Sequence, residues 1–215
     1  MSEHGLSVTQ HGGDGSVARE DAPDRPQPVF HYDLGSPECY LAAERVMAEL
    51  PVVPEWVPVL AAGLPGSGAG GSPVAQREAA VAARAATQHV QPLRWPAGWA
   101  EQDTRLAMVA ATYAKQIGRA VAFALAAFRQ AFAGGRALDE DTLLIAAAAC
   151  EMHPRAVLQA LGRRSVGAAL DAATTQAAAA GVTRLPAIVV GRRVFEGDDA
   201  VEQVAAALAR ETASA

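Results

Sequence analysis

Two side chains with chemical potential lie at a predicted corner between a strand and the helix that follows it. Ser36 and Cys39 have the spacing of a Cys-x-x-Cys pair whose first sulfur is replaced by oxygen. Free backbone N–H groups and the positive end of the helix dipole converge at such a corner, and both stabilise a thiolate. That thiolate could belong to a protein cysteine or to a bound thiol. On these four residues alone, a capping Ser36 and a core Cys39 are the simpler interpretation.

A second candidate lies near the end of the chain, at Leu185-Pro186. A proline at the head of a buried strand is unusual, and the peptide bond before it can be held cis by the fold. A cis bond would turn the N–H and C=O of Leu185 sideways, ready to pair with a peptide-like ligand. The alternative is a trans proline that starts the strand, since only about 5–6% of X-Pro bonds in folded proteins are cis.

Alternating and β-rich residues predict the elements that would position these two candidates. We expect strands at 28–34, 53–60, 185–190 and 193–196, with Pro54 and Pro58 placing the second strand at an edge. Helical spacing predicts a helix at 38–50 and a last helix that begins near Asp198 and ends near Arg210. Between them the pattern is helical at 74–89, 102–117, 119–133, 139–150, 154–161 and 163–180.

This order of elements is β-α-β, a block of helices, then β-β-α. A parallel βαβ unit joined to a hairpin unit predicts an α/β fold, a thioredoxin-like four-stranded mixed sheet with a large all-helical insertion. We expect residues 1–27 to be a disordered leader and 28–62 with 181–211 to form the thioredoxin-like domain. Residues 63–180 would then be a loop followed by the helical insertion domain.

Taken together, the stretches around the two candidates resemble the DsbA-like thioredoxin-fold family. They read FHYDLGSPECYLA from Phe30, LPAIVV from Leu185 and FEGDD from Phe195, and the resemblance covers about residues 28–210. Within the family, the chain is similar to the branch of 2-hydroxychromene-2-carboxylate isomerases and kappa-class glutathione transferases. The resemblance implies that Ser36 contacts the sulfur of glutathione, and that Pro186 is the cis-proline.

The same resemblance implies contacts for the rest of a glutathione molecule. The backbone of Leu185 would pair with its cysteinyl part. Asp199, with Asp198 beside it, would hold the γ-glutamyl amine at the last helix. The chain departs from the branch at Cys39, where disulfide oxidoreductases keep their second cysteine, and at Ala200, where the branch often has arginine.

The function implied by the resemblance is a cytoplasmic, thiol-dependent isomerase or transferase. It would bind glutathione or another low-molecular-weight thiol and act on an electrophilic organic substrate. The hydroxyl of Ser36 would donate a hydrogen bond to the thiolate, and the thiolate would attack the substrate. Trp95 and Trp99, which flank Pro96, are expected to line an apolar substrate pocket.

Two other functions stay open at this point. The first is a thiol–disulfide oxidoreductase with a degenerate Ser-x-x-Cys motif that works through Cys39. Without a thiol at position 36 it could not cycle as an intramolecular dithiol. We therefore expect Cys39 to be a packing residue first and a mixed-disulfide partner second. The other is a non-catalytic binding protein that retains the fold.

Composition and motif spacing argue against several further classes. A net charge of -5 disfavours nucleic-acid binding, and no apolar run approaches the roughly 20 residues of a membrane span. Residues 1–27 lack the apolar core of a secretory signal, which predicts a cytoplasmic protein. The five histidines show no metal-ligand spacing, so no metal is expected.

Two further expectations concern the glycine-rich loop and the alanine-rich helices. Residues 66–71 match G-x-G-x-x-G, but they do not open a helix directly after a strand, so we interpret them as a flexible loop that could cover the thiol site. The long alanine-rich helices could also pack against a second copy of the chain as a homodimer.

Overall fold

A computed structural model describes residues 26–66 and 73–213 of the chain. Most of the predicted leader and of the glycine-rich loop lies outside these residues. Four strands form one mixed sheet in the order β2-β1-β3-β4. Their bounds are Val29–Tyr32 (β1), Glu55–Pro58 (β2), Ala187–Val190 (β3) and Arg193–Glu196 (β4).

The sheet has the mixed pairing that the order of elements predicts. Strand β1 runs parallel to β2 and antiparallel to β3, which in turn pairs antiparallel with β4. Strand β2 lies at an edge of the sheet, the position where a proline within a strand is tolerated. Because side chains alternate across a strand, Phe30 and Tyr32 point to one face and His31 to the other.

Eight α-helices surround the sheet within the described residues. They are Pro37–Glu49 (α1), Val74–Thr87 (α2), Arg105–Gln116 (α3), Ala120–Phe128 (α4), Glu140–Ala148 (α5), Pro154–Leu161 (α6), Arg164–Ala179 (α7) and Ala200–Ala213 (α8). Two predicted helices differ in detail. The third helix starts at Arg105 because Trp99–Glu101 forms a separate 3-10 turn, and the predicted 119–133 is α4 followed by a π-helical turn at Arg129–Ala133.

One continuous core joins the sheet to the helical block. The ring of Tyr32 packs 5.9 Å from that of Phe128 on α4, and Tyr40 on α1 packs 6.0 Å from the same ring. Phe30 and Trp56 extend this aromatic group across β1 and β2. Buried alanines on α3 let that helix pack closely against its neighbours, since small side chains keep the backbones near each other. None of the described helices is long and apolar enough to cross a membrane.

Candidate active site

The corner between β1 and α1 is held by hydrogen bonds that converge on Ser36. The serine caps α1, with its Oγ accepting the N–H of Cys39 at 3.1 Å, and Pro37 occupies the first helical position. The same hydroxyl donates its proton to Glu38 Oε2 at 2.8 Å. Ser36 is therefore a cap whose single proton is directed to a neighbouring carboxylate.

Arg77 of α2 fixes that carboxylate. Its guanidinium binds Glu38 through both oxygens, at 2.5 and 2.6 Å, and lies over the ring of Trp99 at 4.8 Å from the centroid. Burial by itself raises the pKa of Glu38, but the hydrogen bonds and charge of Arg77 outweigh it and the pKa is lowered. Glu38 is thus a carboxylate at neutral pH and a good acceptor for Ser36.

Asp33 stabilises the corner through three hydrogen bonds. Its carboxylate accepts hydrogen bonds from the N–H groups of Gly35 and Ala61, each at 2.9 Å, and from the hydroxyl of Thr104 at 3.0 Å. Burial raises the pKa of Asp33, while its three donors act in the opposite direction. The carboxylate joins the corner to the segment after β2 and to the segment before α3.

Two adjoining clefts open beside this corner. The first, here called the serine cleft, has a volume of about 320 Å³ and is lined by Asp33, Gly35, Ser36, Ala61, Ala62, Arg77, Trp99, Ala100, Gln102 and Thr104. The second, the acidic cleft, has a volume of about 400 Å³ and is lined by Glu38, Arg77, Arg184, Leu185, Glu196, Gly197, Asp198, Asp199 and Gln203. Arg77 forms part of both walls.

The Leu185–Pro186 peptide bond is cis, as the resemblance implies. The carbonyl of Pro186 accepts the N–H of Gly197 at 2.8 Å, and Glu196 accepts the N–H groups of Thr183 and Arg184. These bonds hold the segment before β3 against β4. Within the described residues, the N–H and C=O of Leu185 have no hydrogen-bond partner. They border the acidic cleft as a free pair of backbone groups.

The two aspartates before α8 have different surroundings. The carboxylate of Asp199 pairs with Arg84 of α2, and the same guanidinium donates to the carbonyl of Asp198 at 2.6 Å. The carboxylate of Asp198 accepts no hydrogen bond from the described part of the chain. Desolvation raises the pKa of Asp198, and the nearby charges of Glu38 and Asp199 act in the same direction, against Arg84. Asp198 therefore has the greater capacity to take a ligand ammonium group.

Cys39 is fully buried, with an exposed fraction of 0%. Burial raises the pKa of its thiol to about 12, so the thiol stays protonated at neutral pH. A buried, protonated thiol is what a packing residue would have, and the role of Cys39 stays a prediction. Cys150 is also buried.

Of the two tryptophans expected at a substrate pocket, only Trp99 lines the serine cleft. Its indole N–H donates to Glu78 at 2.8 Å, which fixes the ring beneath Arg77. Trp95 lies behind it, with ring centroids 5.2 Å apart, and packs edge-on against Phe132. Its neighbour Arg94 donates an N–H to the carbonyl of Phe132, which turns this part of the loop into the core and away from the cleft.

Several site residues have no counterpart among the sequence predictions. They are Glu38, Arg77, Arg84, Arg184 and Glu196. The negative charge two positions after the capping serine was the one local signal for Glu38, whereas the arginines come from distant parts of the chain. Among the described residues, no group of three or more His, Cys, Asp or Glu side chains could hold a metal ion.

The sheet order, the capped corner and the cis-proline define a thioredoxin-like fold with a helical insertion. Residues 29–209 match the family described as the DSBA-like thioredoxin domain, and the chain belongs to that family. Among curated protein sequences, none matches the chain.

Solved structures with the same fold include two kinds of enzyme. A 2-hydroxychromene-2-carboxylate isomerase superposes with a TM-score of 0.76 at 19% identity, over 86% of this chain and 95% of the other. A probable DsbA oxidoreductase of Streptomyces coelicolor gives 0.69 at 21%, over 86% and 89%. The oxidoreductase DsbA of Xylella fastidiosa gives 0.56 at 15%, over 88% and 87%. Solved structures with this fold thus include an isomerase and oxidoreductases.

Proposed function

We propose that the protein is an enzyme that binds a low-molecular-weight thiol, of which glutathione is the type, and uses its thiolate on an electrophilic organic substrate. The reaction would be an isomerisation or a transfer. The observation that carries the proposal is a set of unused groups on the wall of the acidic cleft, beside the capped start of α1. They are the free backbone groups of Leu185 and the carboxylate of Asp198, and Glu38 and Arg77 line the same cleft.

An extended zwitterionic thiol fits the groups along the acidic cleft. The N–H and C=O of Leu185 would pair with an amide of the ligand. Asp198 would receive its ammonium group, and the exposed guanidinium of Arg184 on the same wall suits a carboxylate. With these ends placed, the sulfur would lie near the first turn of α1 and the hydroxyl of Ser36.

Ser36 would have to redirect its proton to serve the thiolate. In the structure the hydroxyl donates to Glu38, and a bound thiolate would compete for that proton. Glu38 tolerates the loss because Arg77 still binds both of its oxygens. The Oγ atom would keep accepting the N–H of Cys39 while donating to sulfur. The helix dipole adds to this hydrogen bond, and both lower the pKa of the bound thiol.

The serine cleft would hold the electrophile. Trp99 supplies an aromatic wall, and Ser36 borders the cleft from the other side. Attack of the thiolate on a conjugated carbon forms a carbon–sulfur bond and moves the double-bond electrons onto the conjugated acceptor. In an isomerisation the resulting single bond rotates, the electrons return and the thiolate leaves. In a transfer the carbon–sulfur bond remains, and the electrons on the acceptor either take up a proton from solvent or expel a leaving group such as chloride.

The ionisation of the bound thiol tests the proposal without knowledge of the electrophile. Ultraviolet absorbance of the thiolate, followed against pH with glutathione bound, gives the pKa of the thiol in wild type, Ser36→Ala and Cys39→Ala. We expect a lowered pKa in wild type and in Cys39→Ala, and a pKa nearer that of free glutathione in Ser36→Ala. With 1-chloro-2,4-dinitrobenzene as electrophile, kcat/KM should fall about 10- to 100-fold in Ser36→Ala, the effect of one hydrogen bond to a charged group.

Two results would contradict the proposal in different ways. The oxidoreductase would be favoured if Cys39→Ala lost turnover while Ser36→Ala kept it, and if the wild-type protein reduced the disulfides of insulin. No heat of binding with millimolar glutathione or related thiols in calorimetry would favour a binding protein without thiol-dependent activity.

A further inference from the structure

A further cavity lies on the face of the sheet opposite the aromatic core. It has a volume of about 470 Å³ and is called the rear cavity here. Its floor comes from the three strands β1, β2 and β3, and residues of α7 and α3 complete the lining, with Gln116 and Gln176 among its polar members. The apolar lining includes Val29, Val57, Val189, Ala169, Ala173 and Ala177. Alanine side chains are too short to fill the space between a helix and a sheet, so a cavity remains.

His31 gives this apolar cavity a polar group without a partner. The side chain is 7% exposed and lines the cavity, and its Nδ1 has no hydrogen-bond partner among the described residues. A buried polar atom without a partner is a cost to folding that natural proteins rarely leave in place without a reason. Nδ1 itself is enclosed by protein, so an occupant of the cavity would bond to the other ring nitrogen, Nε2, for which the described part of the chain provides no hydrogen-bond partner.

The charges around the rear cavity favour an uncharged occupant. Burial lowers the pKa of His31 to about 4, against the raising effect of Glu55, so the imidazole is neutral at physiological pH. At the wall, Lys115 and Glu55 neutralise each other in an ion pair of 2.8 Å. Thr112 donates its proton to the carbonyl of Met108 and leaves only its lone pairs to the cavity. No described group here is left to compensate a full ligand charge.

We propose that the rear cavity is a binding site for an uncharged, largely apolar small molecule that carries one hydroxyl group, such as a neutral aromatic alcohol. The hydroxyl would bond to the imidazole of His31, and the apolar body would pack between the strands and the alanines of α7. A hydroxyl suits either tautomer of the imidazole because it both donates and accepts. The volume lies in the range of about 300–1,000 Å³ typical of small-molecule sites.

The test compares 2-naphthol with naphthalene, which has the same rings without the hydroxyl, in fluorescence titrations of the full chain. Wild type should bind both. His31→Leu should weaken 2-naphthol about two- to tenfold, the effect of one neutral hydrogen bond, and leave naphthalene unchanged. Ala173→Phe should abolish binding of both ligands because the ring fills the cavity. Ala172→Phe, on the exposed side of the same helix, should bind both as wild type does.

A second measurement needs no variant at His31. The ring nitrogen resonances of His31 in wild type should shift on addition of 2-naphthol and stay in place with naphthalene. Circular dichroism and melting curves establish that each variant is folded. Three results would overturn the proposal: no saturable binding of either ligand to wild type, undiminished binding by Ala173→Phe, or equal weakening of both ligands by His31→Leu.

Discussion

Ser36 stands between two acceptors that compete for one proton. In the structure the hydroxyl serves Glu38, and in the proposed reaction it serves a thiolate. The carboxylate can release it because Arg77 satisfies Glu38 independently. The ion pair of Glu38 with Arg77 thus keeps the resting corner ordered and leaves the hydroxyl available.

Replacing Glu38 by glutamine should change how stability depends on pH. The pKa of Glu38 is lower in the folded protein than its ordinary 4.5, so its contribution is fully present above that pH and is lost as pH falls through the folded pKa. When the pH falls from about 6 to about 3, wild type should therefore lose more of its free energy of unfolding than Glu38→Gln does. Acid unfolding followed by circular dichroism measures this difference. The comparison cancels the opposite effect of Asp33, which both proteins share.

At neutral pH the same variant should be less stable. We expect Glu38→Gln to lose about 1–2 kcal/mol, at the low end for hydrogen bonds to a charged group because the Arg77 side chain is 39% exposed. Glu101→Gln, at an exposed position, is the control and should have nearly the stability of wild type at neutral pH. Parallel acid curves for wild type and Glu38→Gln would show that Arg77 contributes nothing through this contact.

Gly35 is required by the close approach of Thr104. A Cβ added at Gly35 would lie 2.2 Å from the Thr104 methyl carbon, so Gly35→Ala should destabilise the protein by about 1–3 kcal/mol. The double variant that also carries Thr104→Ser lacks that methyl group and keeps the hydroxyl for Asp33. Denaturant unfolding should show that it regains most of the lost free energy of unfolding. Gly162→Ala, where the nearest atom is 3.9 Å away, should cost little. No rescue by Thr104→Ser would place the strain elsewhere.

At the scale of elements, one side-chain hydroxyl links β2 to α7. Thr174 Oγ1 accepts the N–H of Leu60 at 3.0 Å and donates to the carbonyl of Leu170. Leu60 follows β2 and precedes the turn that reaches Asp33 through Ala61. The position of α7 is thereby coupled to the floor of the serine cleft.

Thr174→Val should destabilise the protein by about 1–2 kcal/mol, because it leaves the part-buried N–H of Leu60 without its acceptor at nearly unchanged side-chain volume. Its neighbour Thr175 is exposed and bonds only its own helix, to the carbonyl of Asp171, so Thr175→Val is the matched control. Urea unfolding measures both. Hydrogen exchange should also accelerate at the Leu60 amide in Thr174→Val alone, and equal exchange in the two variants would contradict the proposed link.

The elements could be predicted because their signals are local. Strand alternation, helical spacing and a capping Ser36 each act within a few residues, and the predicted four-stranded fold is confirmed. The ion pairs in the walls of the clefts could not be predicted, because they join residues that are distant in the sequence. Glu38 and Arg77 are 39 positions apart, and no local pattern joins them. The roles of Leu185 and Asp198 stay predictions.

At the scale of the whole molecule, sheet and helical block share one core, with Phe128 at their junction. Its ring is fully buried between Tyr32 of the sheet and Tyr40 of α1. Because the sheet and the helical block share one continuous core, neither has a core of its own that could keep it folded when the other unfolds. We expect the described chain to unfold as one cooperative unit.

Phe128→Ala should lower the free energy of unfolding by about 3–5 kcal/mol and leave a single transition. Far-ultraviolet circular dichroism, which reports mainly the helices, and near-ultraviolet circular dichroism of the aromatic core should give coincident denaturant curves. Leu158→Ala, 38% exposed on α6, is the control and should change stability far less. Two separated transitions in the variant would show that the helical block folds independently of the sheet.

Arg77 belongs to the walls of both clefts, and this shared cation has a thermodynamic consequence for the two proposed ligands. An anionic group that draws the guanidinium toward one side alters the electrostatic potential felt on the other. The affinities for thiol and electrophile are then linked, and the factor by which the first ligand changes the second must equal the factor in reverse. A neutral side chain at position 77 would make the two binding events independent.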